Sequence, residues 1–468
     1  MSPAVPRSRL TFSALTLALT LPAAGALGAS RPHFGGTATL AYAGAAAPTD
    51  PLLADPPADA ALLQLTASSL CRADAQGTTL ELARALVQDS PTQLSIVLAP
   101  GLRASAGAPL TALDVATAWA RTFTEASPYR ALFAPLRGGE RALRGAARGR
   151  ERLSLPLAFP WPDLARSLCH PALAVTVPAG FGARRGVGPF VGSKGALLAS
   201  RAFPAGRPFL DRLEVAVGDE RTAARQLGLG RAQLSLNGEA QVEGPLRFAT
   251  YLLFRPGRVG KDFRTSVEQA LDRADLVRLF VRAPAAPMPA LLPGAVEPSH
   301  APGLPEPPEG PLSLVYDTTL DSQRGVAERL ALKLHDRGYD VRLLGVSRAQ
   351  LRERWAKGDY DLMLHAVLLP SEDGPALAVA LTLAGQEALL PRELPPIGAL
   401  PDLTARDALA LERASALSDL GAAVPLYVQG VRLKLGPNVV LPPLDALGVP
   451  DLSNASLALE GQLLTGGR

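Results

Sequence analysis

The sequence predicts an α/β chain divided into two lobes. Its 468 residues exceed what one compact core usually holds, and 47% of them are hydrophobic, enough for sizeable cores. From residue 312 onward strand-like and helix-like segments alternate, which predicts parallel pairing in the second half.

The elements follow in order. Arg7 and Arg9, the apolar run 10–21, the breaker Pro22 and the small residues Ala24-Gly25-Ala26 read as a signal peptide over 1–29, with Ala29 a second cleavage candidate. The run is shorter than the roughly 20 apolar residues a membrane span needs. No cysteine lies near the cleavage site, so lipid anchoring is not expected. Residues 37–42 alternate as a strand, and 44–57 form a long loop containing Asp50-Pro51. A helix is expected over 62–70 and a strand over 94–98. Gly107 and Pro109 then punctuate the chain. Thr111 with Asp114 three residues on makes a capping-box variant, and Val115, Trp119 and Phe123 recur every four residues, predicting a helix over 111–125.

Residues 137–150 are Arg- and Gly-rich and read as an exposed loop. A short helix over 161–168, strands over 172–177 and 212–217, and a helix over 219–229 follow. The apolar run 248–254 is a strand. Phe263, Val267, Leu271, Ala274 and Val277 share one face of a single helix expected over 262–280. The Pro-rich segment 283–311 should be an extended surface loop. Strands at 312–316, 339–344 and 360–367 alternate with helices at 322–336, closed by Arg337-Gly338, and 347–357, with Ser347 as N-cap. A last helix is expected over 406–418.

Composition excludes several functions. The formal net charge is only +4, charged residues are 19%, and no basic run is interleaved with aromatics, so nucleic acid is not expected as a partner. The five histidines are scattered, with no HExxH or paired spacing, so no metal site or cofactor is expected. Neither a G-x-S-x-G elbow nor a G-x-x-x-x-G-K-[ST] loop occurs, so the chain does not read as an enzyme. The two cysteines, Cys71 and Cys169, leave open a disulfide in an oxidising compartment or two buried thiols.

Motifs along the mature chain resemble the family 5 extracellular solute-binding proteins, the oligopeptide, dipeptide and nickel receptors of ABC importers. Gly107-Ala108-Pro109-Leu110-Thr111-Ala112-Leu113-Asp114-Val115 resembles the family's "G-T-P-L-T-A-E-D-V". Gly186-Val187-Gly188-Pro189-Phe190 resembles "G-T-G-P-Y", and the stretch 205–211 resembles "G-G-K-P-K-L-D". Asp262, Arg264, Ala270, Asp272 and Arg273 match "D-V-R-V-R-Q-A-L-A-Y-A-I-D-R" in register. Gly358-Asp359-Tyr360-Asp361-Leu362 resembles "G-D-F-D-L", and Val424-Pro425-Leu426-Tyr427 resembles "I-P-L-Y". The matches occur in the family's order.

The resemblance implies a periplasmic binding protein-like fold of the large class, with the ligand cleft between lobes. Lobe one would comprise 30–248, with an inserted subdomain at about 54–180, and the return 428–468; lobe two would comprise 249–427. It implies a monomer exported to the periplasm that captures a peptide or small solute by lobe closure. The closed form would dock on ABC permease subunits with their ATPases.

Glu372 and Asp373 follow a strand's carboxyl end, where α/β sheets place ligands. By its match to "D-Y-P-D-P", Asp373 is the expected ammonium partner. Tyr42 and Asp50 flank a loop that reaches the cleft in relatives, although a packed tyrosine and a turn-forming aspartate fit them as well. Arg255 stands where the family has an asparagine, and Val367 and Leu368 stand where it has an aromatic. These departures, with aromatic content of only 5%, favour as the alternative an exported sensor or interaction protein with an eroded cleft.

Overall fold

The computed structural model describes residues 32–458 except 45–46, 75–76, 105–106, 180–183, 194, 239–241, 256, 297–309, 419 and 421–422. The expected signal peptide lies outside the described residues.

Two six-stranded sheets organise the chain. In the first, Thr37–Ala43 lies between Arg212–Gly218 and Leu234–Leu236 and runs parallel to both. Antiparallel strands flank this centre: Ala196–Ala199 and Phe190–Ser193 on one side, Leu433–Leu435 on the other. Alternate residues of the first strand, Ala38, Leu40 and Tyr42, enter a core with Ala58, Ala61 and Leu62 of the helix Pro57–Gln64. That helix starts five residues upstream of the expected start at 62, because Pro56 and Pro57 set it up and Leu65 caps it. On the other face, Ala41 meets Ala223 and Ala232, small residues that let the helix Glu220–Gly228 lie close.

The second sheet has the order Ala285–Pro287, Ala423–Gln429, Phe248–Phe254, Leu362–Leu368, Leu312–Asp317, Val341–Val346. Leu312–Asp317 runs parallel to both its neighbours, as the alternation predicts; Phe248–Phe254 is antiparallel to both of its own. Every residue of Phe248–Phe254 and Leu362–Leu368 is buried. Both strands are apolar but for Thr250 and His365, because helices cover both faces.

One face packs against Lys261–Ala270, Arg273–Phe280 and Asp321–His335. The single helix expected over 262–280 is thus two: Leu271 leaves helical conformation and Asp272 caps the second helix through the Asp275 N–H. The segment expected as a surface loop supplies the edge strand Ala285–Pro287, and Met288, Ala290, Leu291 and Leu292 are buried.

Inserted in sequence between the first strand of the first sheet and its later strands lies a four-stranded antiparallel sheet of Ala83–Ser90, Gln93–Leu98, Arg152–Pro156 and Ala147–Arg148. Its helix Ala112–Thr124 carries the expected capping box between Thr111 and Asp114 and buries Val115 and Trp119. The stretch 137–150, expected as loop, contains the helix Gly139–Arg144, whose Leu143 is buried. The stretch 172–177 is a turn, Pro171–Leu173, followed by the short strand Thr176–Pro178. Cys71 and Cys169 form a disulfide.

This subdomain shares its core with the second sheet. Trp119, Phe133, Leu153 and Trp161 belong to the same apolar cluster as Leu377, Leu381, Leu394 and Ala410. The last four lie on the helices Asp373–Leu383, Leu390–Gly398 and Leu403–Ser418. A Cβ at Gly398 would overlap the Pro160 carbonyl oxygen, so glycine permits this approach. Arg406 donates to both oxygens of Asp163, at 3.0 and 2.8 Å, a buried bidentate pair across the same boundary.

Candidate functional site

The parallel strands of the first sheet end together at Ala43, Gly218 and Leu236, and Leu312–Asp317 of the second sheet ends opposite them. A cleft of about 1140 Å³ lies there. Strand ends followed by Gly44, Asp219, Asn237 and Thr318 line it. This is the position at which the carboxyl ends of α/β strands offer ligands unpaired polar groups. Asn237 adopts φ 59°, a left-handed conformation that asparagine tolerates, and its N–H donates to the Arg432 carbonyl.

Four charged side chains form a chain across the cleft. Glu220, in the first turn of its helix, accepts from Arg282 at 3.0 Å and from Arg432 at 2.6 Å. Arg432 also lies 3.6 Å from Asp321 and donates to the Gly238 carbonyl. Arg282 and Asp321 lie beside elements of the second sheet and Glu220 beside those of the first. Arg432 sits on the connection between the sheets and is the least exposed of the four. Asp219 caps its helix, and hydrogen bonds from the Thr222 side chain and N–H hold its carboxyl below the usual range. Thr318, Thr319, Ser322 and Gln429 add uncharged polar groups, and Phe248, Phe280, Leu320 and Val431 add apolar wall. With charges of both signs balanced, the cleft suits a zwitterion or a neutral polar solute better than a strongly charged one.

Below the cleft the lobes are tied together. Arg348 donates to Asp59, Asp317, Thr319 and the Leu53 carbonyl. Nearby, Arg352 pairs with Glu125 and donates to the Leu52 carbonyl. A cavity of about 20 Å³, the size of a water molecule, is lined by Asp55, Asp317, Gln323, Arg348 and His365 among others. Burial pushes Asp55 up to about 6 although Tyr129 donates to it, and burial pushes His365 down to about 4. Among the described residues neither ring nitrogen of His365 has a hydrogen-bond partner.

None of the five residues singled out in the sequence lines this cleft. Asp373 opens the helix Asp373–Leu383, and its carboxylate receives Arg247 at 2.9 Å. Glu372 is buried against Arg166 and Ser371, and burial raises its carboxyl. The chain turns away from the cleft here because the subdomain holds Leu368: its N–H donates to the Tyr129 hydroxyl, and the His170 ring contacts its carbonyl at 3.0 Å. The segment read as a ligand loop is therefore the buried start of a helix. Tyr42 lies beneath the strand end and donates to Asp59 at 2.5 Å. Asp50 caps the turn Pro51–Leu53 and pairs with Arg121 at 2.9 Å. Arg255 is exposed beyond the end of Phe248–Phe254, and its N–H donates to the Asp361 carbonyl. The structure brings only Glu372 and Asp373 near one another.

Glu220 and Asn237 were within reach of the sequence: the rule applied to the strand before Glu372 applies equally to Arg212–Gly218 and Leu234–Leu236. Arg432 and Arg282 carried no local signal. Among the described residues no group of three or more His, Cys, Asp or Glu side chains is placed to hold a metal ion, and no helix is long and apolar enough to cross a membrane.

No protein-family model matches the sequence. No curated protein matches it either. Solved structures do match in fold. The murein tripeptide binding protein MppA of Escherichia coli superposes with TM-score 0.71 at 14% identity, over 91% of this chain and 99% of that one. OppA of Burkholderia pseudomallei gives 0.70 at 16%, over 90% and 99%. A substrate binding protein from Microbacterium hydrocarbonoxydans, complexed with 4-hydroxybenzoate hydrazide, gives 0.67 at 18%, over 90% and 100%. The chain thus has the two-lobed fold of periplasmic substrate-binding proteins along nearly its whole described length.

Proposed function

We propose that this chain is the exported receptor of an ABC importer, binding a short peptide or similarly sized zwitterion between its lobes and presenting it to a membrane permease. The observation that carries this reading is the cleft of about 1140 Å³ at the strand ends, bridged by Arg432 between Glu220 and Asp321. A ligand ammonium replaces Arg282 at Glu220, and a ligand carboxylate replaces Asp321 at Arg432. Each exchange trades one charge-assisted contact for another while the apolar wall buries the ligand body. Binding favours the closed arrangement because only that arrangement presents groups from both lobes at once. The role is binding, not catalysis.

One observation favours a second reading. The charged groups of the cleft already satisfy one another, and Arg348 ties the lobes beneath it, as suits an exported interaction or sensor protein that delivers no solute.

Native mass spectrometry of the protein purified from the periplasm tests both. A co-purifying peptide or small solute, lost in Arg432→Gln, supports the receptor. A bare mass, with no thermal shift across a panel of di- to pentapeptides and metabolites, supports the second reading.

A further inference from the structure

A second cavity, of about 350 Å³, lies away from the cleft, where the hairpin carrying Arg72 and Glu81 meets the returning segment 442–454. Its walls are stiff and apolar: Pro189, Pro208, Pro442, Pro443, Phe203 and Leu444. Its floor is charged. Arg72, with 8% of its surface exposed, faces Glu81, Asp445 and Asp451, so one cation stands among three buried carboxylates. Arg72 spends its Nε and Nη2 on Glu81 Oε1 and approaches Asp451 at 3.5 Å.

Among the described residues two carboxylate oxygens and the Arg72 Nη1 are left over. Glu81 Oε2 is buried without a hydrogen-bond partner among the described residues. Among the described residues the hydrogen bonds to the Asp445 carboxylate both fall on Oδ1, from the N–H groups of Leu447 and Val449. Asp451 has no such surplus, since Ser453 and Asn454 occupy both its oxygens. Burial pushes Asp445 up to about 6, so its charge is under-compensated as the site stands.

We propose that this cavity is a second binding site, for a primary organic ammonium ion with an apolar body. The ammonium donates to Asp445 and Glu81, and the body lies along the proline walls and Phe203. A cavity of this volume holds a small organic molecule, and rigid walls lower the cost of ordering it. A bare metal ion is a poorer occupant, because no three of these carboxylates converge at coordinating distance among the described residues.

The test is isothermal titration of the mature protein near neutral pH with phenethylammonium chloride, against 3-phenylpropionate and calcium chloride. Saturable binding of the ammonium alone is expected. The isosteric Asp445→Asn weakens it about tenfold or more, and Leu444→Trp, which fills the cavity, abolishes it; circular dichroism melts verify that both variants fold. Affinity falls as pH drops below about 6, as Asp445 takes up its proton. Absence of binding up to about 10 mM, equal binding of 3-phenylpropionate, or binding of calcium in its place overturns the proposal. So does indifference to Asp445→Asn and Leu444→Trp coupled with loss in the cleft variant Glu220→Gln, which places the ammonium in the cleft.

Discussion

Arg348 Nη1 stands 2.6 Å from Asp59 Oδ2, joining the helix Arg348–Lys357 to the helix Pro57–Gln64. Arg348 also holds Asp317 at 3.0 Å, so one guanidinium compensates two buried carboxylates. Arg348→Leu leaves both without their cation. Breaking a buried pair from one side costs about 3–5 kcal/mol, and urea denaturation monitored by tryptophan fluorescence should show a loss of that size. A midpoint within error of the wild type would mean that the carboxylates find water or other donors.

The Cys71–Cys169 bridge spans a sequence separation of 98. A long closed loop restricts the unfolded chain strongly, and removing such a bridge costs about 2–5 kcal/mol. Cys71→Ser with Cys169→Ser should lower the denaturation midpoint accordingly. Reductant should lower the wild-type midpoint and leave the double variant unmoved.

Acid stability turns on groups that oppose each other. Burial lowers His365 and His170 from 6.5 to about 4. The unfolded chain binds these protons first, so the stability they contribute is complete above 6.5 and is lost as pH falls toward 4. Asp55 and Asp445 are raised from 3.8 to about 6, so the folded chain holds those protons more tightly, and stability falls as pH rises through the same window. The two effects nearly cancel, predicting a shallow profile between pH 4 and 6. In Asp55→Asn one opposing contribution is gone, and unfolding free energy should drop more steeply than in the wild type on acidification from pH 6 to 4. Parallel profiles for the two proteins would contradict this assignment.

Gly398→Ala places a methyl group against the Pro160 carbonyl and the Trp161 ring. Overpacking of this kind costs about 1–3 kcal/mol. A scanning calorimetry trace should show a lower Tm, with the disulfide intact. An unchanged Tm would mean that the two segments separate freely.

The Thr111–Asp114 capping box, the strands at 37–43 and 312–317 and the Ser347 cap were all legible, because each is set by residues a few positions apart. The helix Asp373–Leu383 was not: residues 374–383 are all buried, so no polar face marks a helical period. The break at Leu271 was hidden by an apolar stripe that continues across it in the sequence. The expected ligand residue Asp373 failed to reach the cleft for a similar reason, since Arg247 lies 126 positions away in sequence. The cleft chain is likewise a product of folding: Glu220 and Arg432 are separated by 212 positions and meet only where the last segment of the chain returns to the first sheet.

The shared core of the subdomain and the second sheet has a mechanical consequence. A body that buries Trp119 and Leu381 in one cluster moves as one piece. In the opening that the proposed function requires, the inserted four-stranded sheet travels with the Phe248–Phe254 half and swings away from the first sheet. The pivot then falls on the short connections around residues 244–247 and 430–432, and on the strand of chain that leaves the helix Pro57–Gln64 for Cys71. Gly186 and Gly188, whose absent side chains let residues 65–67 lie against the returning chain, sit beside that axis. A side chain at either would overlap residues 65–67 and wedge the two segments apart.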